Sequence, residues 1–453
     1  MRSAHGKISN AEKAYIAGMQ RGACPTLAAP MQTGDGLLVR LRPAGGALTI
    51  AQLRELASAA ARHGNGILEI TARGNLQIRG LSTDTVRPLA AEIDAAGIVV
   101  PDGVTIEISP LHGIDGDAIG DAAVMEAAVR SKLGVLLNSP HLAPKLSILV
   151  DGGGRFSLSA LIADIRIVAQ QPGQWLLSIA GDEETATPLA IGGPEAVAAA
   201  AGDLLELLTA RGRQTRPRDI AATTLYAHFP QIDSIRSIPP APSRSSYVGV
   251  TRLRTGIAVL GVRLKFGQAR AADLISFLAS AESAGAREIR LAPDRGFFLI
   301  GLPESEMPAM QQAAVDHGFS VTAKEPAEQI AACAGAGACA SAFYDTRALA
   351  SQLIDRVPDL FDGSLKLHLS GCAKGCAHRR ADLVIAGSTE GYGFVLDGLA
   401  ANSPAARIAG GRIDFAIEKL ARLIEDKRGA GESSADCLKR LGPIGLAEAL
   451  QQE

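Results

Sequence analysis

Apolar and polar positions change period several times along the chain, and one of the resulting patterns occurs twice. From Gly36 the sequence runs Leu-Leu-Val-Arg-Leu-Arg-Pro, an apolar stretch of strand length. Leu53, Leu56 and Ala57 follow at helical spacing, then Gly64, the short run Ile67-Leu68-Glu69-Ile70 and the alternating Leu76-Gln77-Ile78-Arg79-Gly80-Leu81. The predicted order is strand, helix, strand, strand. Residues 257–302 give the same order: Val262-Arg263-Leu264-Lys265, a helix through Leu274, Phe277 and Leu278, Gly285, Glu288-Ile289-Arg290-Leu291, and Phe298-Leu299-Ile300-Gly301-Leu302. The offset is 221 residues, with Gly64 matching Gly285 and Gly80 matching Gly301. Glycines matched at turns, where the backbone can need a positive φ, mark a duplication. Two copies so far apart do not make a solenoid, so they predict a pseudo-twofold pair of α+β halves packed together.

Between the copies the pattern alternates. Strand-like runs at Val104–Ile108, Leu146–Val150 and Trp175–Ile179 are interleaved with helical stretches at Asp121–Lys132 and Glu195–Ala210, the latter opened by Gly-Gly-Pro. This predicts a mixed α/β unit. Gln231–Ser246, with Pro239, Pro240 and Pro242 among Ser and Arg, has linker composition and places a boundary near residue 244. The last unit begins near 325 and ends in helices around Ile413–Lys427 and Ala435–Gln451.

Composition narrows the class. With 453 residues and 47% hydrophobic content the chain can bury a large core, and 45 basic against 47 acidic residues leave no field for polyanions. Nucleic acid and anionic membrane are therefore not expected partners, although a local cationic pocket is compatible with the balance. The N-terminal Met-Arg-Ser-Ala-His-Gly-Lys lacks the apolar core of a secretory signal, and no run of 18 apolar residues occurs, so a cytoplasmic protein is expected. There, clustered cysteines are more often metal ligands or redox groups than disulfides.

Four of the six cysteines are clustered. Cys333-Ala-Gly-Ala-Gly-Ala-Cys339 and Cys372-Ala-Lys-Gly-Cys376 are pairs with gaps of five and three, interleaved with Gly335, Gly337, Gly371 and Gly375. Glycine lets such loops wrap tightly and aim N–H groups at sulfur. The second pair follows the strand-like Leu365–Leu369, and the first precedes a helix expected to start near Ser341. A [4Fe–4S] cluster fits this pattern better than zinc, whose structural sites pair ligands two to four residues apart. Unligated or transient thiols are the third reading. Lys374 is either solvated or offsets cluster charge, and Cys24 and Cys437 read as isolated buried or surface thiols.

These cysteine pairs, the duplicated half-domain and the string Thr71-Ala-Arg73-Gly-Asn75-Leu-Gln77-Ile-Arg79-Gly80 resemble the sulfite and nitrite reductase superfamily across nearly the whole chain. Arg21-Gly-Ala-Cys-Pro25, Ala29–Arg40, Ser109-Pro110-Leu111 and Leu369–His378 resemble its precorrin-3B synthase branch more narrowly. The resemblance implies an α+β fold in which duplicated ferredoxin-like half-domains with two associated α/β domains form a pseudo-twofold body. The implied domains are an N-terminal half-domain at 1–95, a tetrapyrrole-binding α/β domain at 96–243, a second half-domain at 244–320 and a [4Fe–4S]-binding α/β domain at 321–453. It further implies that Cys333, Cys339, Cys372 and Cys376 hold the cluster, and that a monooxygenase of aerobic cobalamin biosynthesis hydroxylates precorrin-3A with O₂ and closes a γ-lactone. A mononuclear non-haem iron and electrons from reduced nicotinamide or a donor protein come with that branch. Sirohaem belongs to the alternative reading, a sulfite or nitrite reductase. A non-enzymatic tetrapyrrole-binding or electron-transfer protein is a third.

Departures from the reductases favour the branch. The resemblance places two arginines and two lysines around a reductase's oxyanion, where charge must be neutralised and protons supplied. Here Arg73 and Lys145 match one of each, Ser147 stands at the second lysine, and the second arginine is replaced near Val104. Such a thinned set suits a tetrapyrrole carrying many carboxylates, which arginine can grip in bidentate fashion. Arg73, Lys145, Asn75, Gln77 and Arg79 are the expected substrate contacts. The competing reading makes the arginines strand-edge charges, Lys145 a solvated strand end, and Asn75 and Gln77 solvent-facing residues of one strand face. His112, His141, His368 and His378 are candidate iron ligands or, individually, structural histidines.

Overall fold

The computed structural model describes residues 25–230 and 246–451, so Cys24 and most of the proline-rich linker lie outside the described residues. In chain order the elements used below are β1 (Gly36–Leu41), β2 (Ala47–Thr49), α1 (Ile50–His63), β3 (Ile67–Ile70), β4 (Leu76–Leu81) and α2 (Val86–Ala95). Then come β5 (Thr105–Ile108), α3 (Ala122–Leu137), β6 (Ser147–Asp151), β7 (Ala163–Gln171), β8 (Gln174–Gly181), β9 (Thr187–Gly192) and α4 (Pro194–Arg211). The second copy supplies β10 (Gly249–Arg252), β11 (Ala258–Leu264), α5 (Ala271–Ser283), β12 (Glu288–Ala292), β13 (Gly296–Ile300) and α6 (Met307–Asp316). The remainder forms β14 (Ile330–Ala332), α7 (Thr346–Arg356), β15 (Leu367–Ser370), β16 (Ala381–Ser388), β17 (Gly391–Gly398), β18 (Ala406–Ile408), α8 (Ile413–Lys427) and α9 (Ser434–Gln451).

The chain divides into two compact units. One is built mainly from Leu38–Val262 and Arg270–Ala313, the other mainly from Ala314–Glu453 with the short segments Gln32–Leu37 and Arg263–Ala269.

In the first unit the duplication is visible at the level of single hydrogen bonds. Ile50 N donates to Arg287 O at 3.4 Å and Ala271 N donates to Gly66 O at 2.8 Å. The two bonds exchange into one another under the 221-residue offset. β2 extends the second copy's sheet by pairing antiparallel with β12, Leu48 opposite Ile289, and α1 packs against α5. Burial of Leu53, Leu56 and Ala57 on α1 and of Leu274, Phe277 and Leu278 on α5 explains why each helix takes an apolar stripe at helical spacing. Thr49 starts α1 with a capping box, its side chain accepting from Gln52 N while Gln52 accepts from Thr49 N.

The interposed α/β part is a five-stranded sheet in the order β9-β8-β7-β6-β5, with β5, β6 and β7 mutually parallel and β8 and β9 antiparallel. Ile106, Ile108, Ile148, Val150, Ile165 and Ile167 share one buried cluster with residues of α3 and α4. Alternation therefore sends Glu107, Ser109, Leu149, Asp151, Asp164 and Arg166 to the opposite face. Most of these are polar, and all are buried. The second unit repeats the topology, in the order β14-β15-β16-β17-β18 with two parallel and then two antiparallel pairings, its apolar face covered by α7, α8 and α9. Cys437 belongs to that core and is fully buried.

The matched glycines serve two different needs. Gly80, Gly285 and Gly301 have φ of 71°, 100° and 93°, as expected of turn glycines. Gly64 has φ of −114°, so its need is space: a Cβ there would stand 2.3 Å from Arg79 O. Gly80 combines both constraints, because an added Cβ would also meet Asn65 Cβ at 2.4 Å, whereas Gly173, at φ 75°, faces open space. Gly80→Ala is expected to cost roughly 3 kcal/mol or more and Gly173→Ala only about 1 kcal/mol. Urea denaturation midpoints of the two variants check this, and equal losses would contradict it.

Candidate cluster loops and cation face

In the second unit two parallel strands deliver the cysteines. β14 runs directly into Cys333, whose N–H continues the ladder to Leu369 O at 3.1 Å, and β15 ends two residues before Cys372. Gly371 N donates to Cys333 Sγ at 3.1 Å, an N–H···S bond of the kind that stabilises a thiolate. Gly371 can sit there only without a side chain, since a Cβ would lie 2.5 Å from Ala342 Cβ. Gly335, Gly337 and Gly375 have φ of 73°, 89° and 62°, which lets both loops turn back on themselves.

The helix expected from Ser341 begins instead at Thr346, because Asp345 is the cap and accepts from Arg347 N and Ala348 N. Residues 342–344 are used to stitch the loops: Phe343 N donates to Gly371 O and Ala336 N to Tyr344 O, both at 2.8 Å. Lys374 reaches from the second cysteine loop to Ser341 Oγ of the first at 2.9 Å.

The two cysteine loops meet through these bonds. Burial pushes the Cys376 thiol up, and the charges of Cys372, Cys333 and Cys339 push it further, with Lys374 opposing. Cys333, Cys339 and Cys372 are partly buried and Cys376 is exposed. Among the described residues no three His, Cys, Asp or Glu side chains stand close enough to hold one metal ion. An all-sulfur donor set, glycine-wrapped loops and a backbone donor on sulfur together fit an iron–sulfur cluster.

The first unit carries the candidate cations, and the structure gives most of them partners. Arg73, on the turn between β3 and β4, sends Nε to Glu107 Oε1 at 2.6 Å, Nη2 to Glu107 Oε2, and Nη1 to Ile162 O at 2.7 Å. Its side chain is 33% exposed while that of Glu107 is 4% exposed. The turn itself is held by Thr71 Oγ1, which accepts from Asn75 N at 3.1 Å, and by Arg42 Nη1, which donates to the carbonyls of Arg73 and Gly74. Asn75, Gln77 and Arg79 are buried, so they are not solvent-facing strand residues. Arg79 pairs with Glu69 at 3.4 Å. Gln77, directly opposite Glu69 in the β3–β4 ladder, donates Nε2 to Glu69 Oε2 at 2.5 Å and accepts at Oε1 from Arg40.

Lys145 is exposed just before β6. Ser147, at the position of a second lysine, serves the fold instead, since its N–H and hydroxyl both donate to Asp164 Oδ2 at 2.9 Å and Arg216 closes on the same carboxylate. Of the histidines, His112 Nε2 lies 2.8 Å from Arg290 Nη1, and burial and then Arg290 push its pKa down. His141 is exposed, whereas His368 is fully buried on β15 with its ring 6.3 Å from that of His378.

Three residues escaped sequence reasoning. Glu107 is the carboxylate that meets Arg73. Asp151 is fully buried, receives Ser109 Oγ at 2.8 Å and the N–H groups of Gly153 and Leu158, and is pushed up by burial. Arg166 is 1% exposed, donates Nη1 to Leu161 O, and is pushed down by burial against the opposing charge of Asp151. The only signal for them was polar residues alternating with isoleucines and valines in β5, β6 and β7.

Residues 29–96 match the family described as the nitrite/sulfite reductase ferredoxin-like half domain. The chain is 42% identical over 441 residues to a precorrin-3B synthase from Sinorhizobium sp, covering 96% of both chains. It is 24% identical over 395 residues to the ferredoxin–nitrite reductase of Synechococcus elongatus, covering 79% of this chain and 77% of that one. Among solved structures it resembles the Mycobacterium tuberculosis NirA protein, with a TM-score of 0.69 at 19% identity over 90% of this chain and 84% of that one, which bears out the α+β fold. Identity of this extent along almost the full length, on that fold, places the chain in the precorrin-3B synthase family, within the nitrite and sulfite reductase superfamily of oxidoreductases.

Proposed function

We propose that this protein is a cytoplasmic monooxygenase that hydroxylates precorrin-3A with O₂ and closes a ring acetate onto the product as a γ-lactone. The observation that carries the reading is the 42% identity to a precorrin-3B synthase across 96% of the chain. The four-cysteine loops support it from a different side, since one-electron delivery to an oxygen-activating centre needs a group such as they can hold. Among the described residues no helix is long and apolar enough to cross a membrane.

Cys333, Cys339, Cys372 and Cys376 would hold a [4Fe–4S] cluster, which when bound supplies electrons singly. Gly371 N, through its bond to Cys333 Sγ, stabilises that thiolate, and Lys374 offsets negative charge while tying the two loops. Reduced nicotinamide or an electron-donor protein would supply the electrons. The branch also implies a non-haem iron that would supply O₂-activating chemistry, but among the described residues no three His, Cys, Asp or Glu side chains stand where they could hold it.

In the first unit Arg73 and Lys145 would face substrate carboxylates. Glu107 holds two of Arg73's donors, so Arg73 acts with a fixed plane and reduced net charge. Arg79, Asn75 and Gln77, being buried, would shape the substrate face from beneath. Holding the ring acetate near the hydroxylated carbon makes lactone closure intramolecular, so no protein nucleophile is needed.

Two outcomes follow. Cys372→Ser should lose the broad visible absorption of the cluster and most of the bound iron and sulfide; unchanged iron and sulfide content would remove Cys372 from the ligand set. Conversion of precorrin-3A by the reduced protein should require O₂ and introduce one oxygen atom from ¹⁸O₂ into the hydroxylated product. Equal conversion under strict anaerobiosis would overturn the monooxygenase reading.

A further inference from the structure

The bonds between β1, β4 and β3 form a directed chain: Arg40 to Gln77, Gln77 to Glu69, and Arg79 to Glu69. A guanidinium only donates and a carboxylate only accepts, so Gln77 fits between Arg40 and Glu69 in one amide orientation, oxygen toward Arg40. Both Nε and Nη2 of Arg40 reach that oxygen, at 2.9 and 2.6 Å. Arg73, Arg79, Arg130 and Arg216 each have an ion pair, with Glu107, Glu69, Glu126 and Asp164. Arg40, among the described residues, is met only by the neutral amide. It is also the partly exposed end of a chain whose other members are buried.

The duplication supplies an internal control. Under the 221-residue offset Arg40, Glu69, Gln77 and Arg79 correspond to Gly261, Arg290, Phe298 and Ile300. The second copy builds the same strand, helix, strand, strand order with those residues, and Phe298 is fully buried in an apolar cluster with Phe156 and Tyr247. The fold therefore does not require the polar chain. A buried polar network is costly unless complete, and here it fixes one guanidinium while leaving its charge uncancelled.

From this we infer that Arg40 is a binding residue for a carboxylate side chain of the tetrapyrrole, with Gln77 and Glu69 as its positioning residues. The inference rests on the proposed function and names a contact that the sequence pattern did not. The Nη1 edge remains for the ligand, and a planar fork already oriented from behind loses little freedom on binding.

The test uses cluster-loaded protein under anaerobic conditions, with uroporphyrin, a stable octacarboxylate, as a fluorescent binding probe and precorrin-3A as substrate. Arg40→Gln should weaken uroporphyrin binding about tenfold, equivalent to about 1.4 kcal/mol, and flatten its salt dependence. The loss in turnover should fall on KM. Arg40→Lys, which keeps the charge without the fork, should lie between the two. Far-UV circular dichroism and urea midpoints equal to wild type confirm that the variants are folded. Binding and KM of Arg40→Gln within twofold of wild type would overturn the inference while leaving the proposed function standing. A wild-type protein that neither binds uroporphyrin nor converts precorrin-3A would overturn both.

Discussion

A charge removed from water must be met by an opposite charge or by a full set of hydrogen bonds, and the first unit is organised around that requirement. Its α/β sheet turns isoleucines and valines toward α3 and α4 and leaves Glu107, Asp151, Asp164 and Arg166 on the other face, all buried. The three carboxylates each recruit partners, whereas Arg166 donates Nη1 to Leu161 O and leaves its buried Nη2 without a hydrogen-bond partner among the described residues. Glu107 takes the fork of Arg73, Asp164 collects Ser147 and Arg216, and Asp151 gathers a serine hydroxyl and two backbone N–H groups. Arg73 and Arg216, which meet this face, thereby bring far less net charge than two free guanidinium groups would. That suits a large polycarboxylate held by several graded contacts better than a small oxyanion held by a concentrated positive charge.

Duplication explains how such a face arises without endangering the fold. The paired bonds from Ile50 to Arg287 and from Ala271 to Gly66 join the two copies symmetrically, as does the packing of α1 on α5. With the frame secured twice, the first copy carries Arg40, Gln77 and Arg79 where the second keeps Gly261, Phe298 and Ile300. One copy holds a polar network where its counterpart packs apolar side chains. Even backbone strain follows the offset: Gly45 has φ of 64°, and its counterpart Phe266 holds 55° despite its side chain.

Features encoded locally were legible in the sequence. Cysteine gaps and glycines marked the loops that now converge, and the repeated strand, helix, strand, strand pattern marked the half-domains. Partnerships made by the fold were not. Arg73 reads as an available cation because Glu107, 34 residues away on another strand, becomes its partner only once the sheet forms. Gln77 and Asn75 read equally as solvent-facing or ligand-facing, since alternation gives a side chain's face but not what covers it. Gly64 looked like a turn glycine and is instead required by the nearness of Arg79 O. The start of α7 moved by five residues because the segment after Cys339 serves the opposite loop before Asp345 caps the helix.

The proposed function requires an iron–sulfur protein that handles a tetrapyrrole as substrate, without carrying one as a resident haem. The most direct measurement is the optical spectrum of anaerobically purified protein, taken with iron, acid-labile sulfide and haem analysis. A broad brown absorption that bleaches on reduction, with about four sulfides and at least about four irons per chain and no extractable haem, is the predicted result. A sharply banded spectrum with stoichiometric sirohaem would contradict it and return the protein to the reductases.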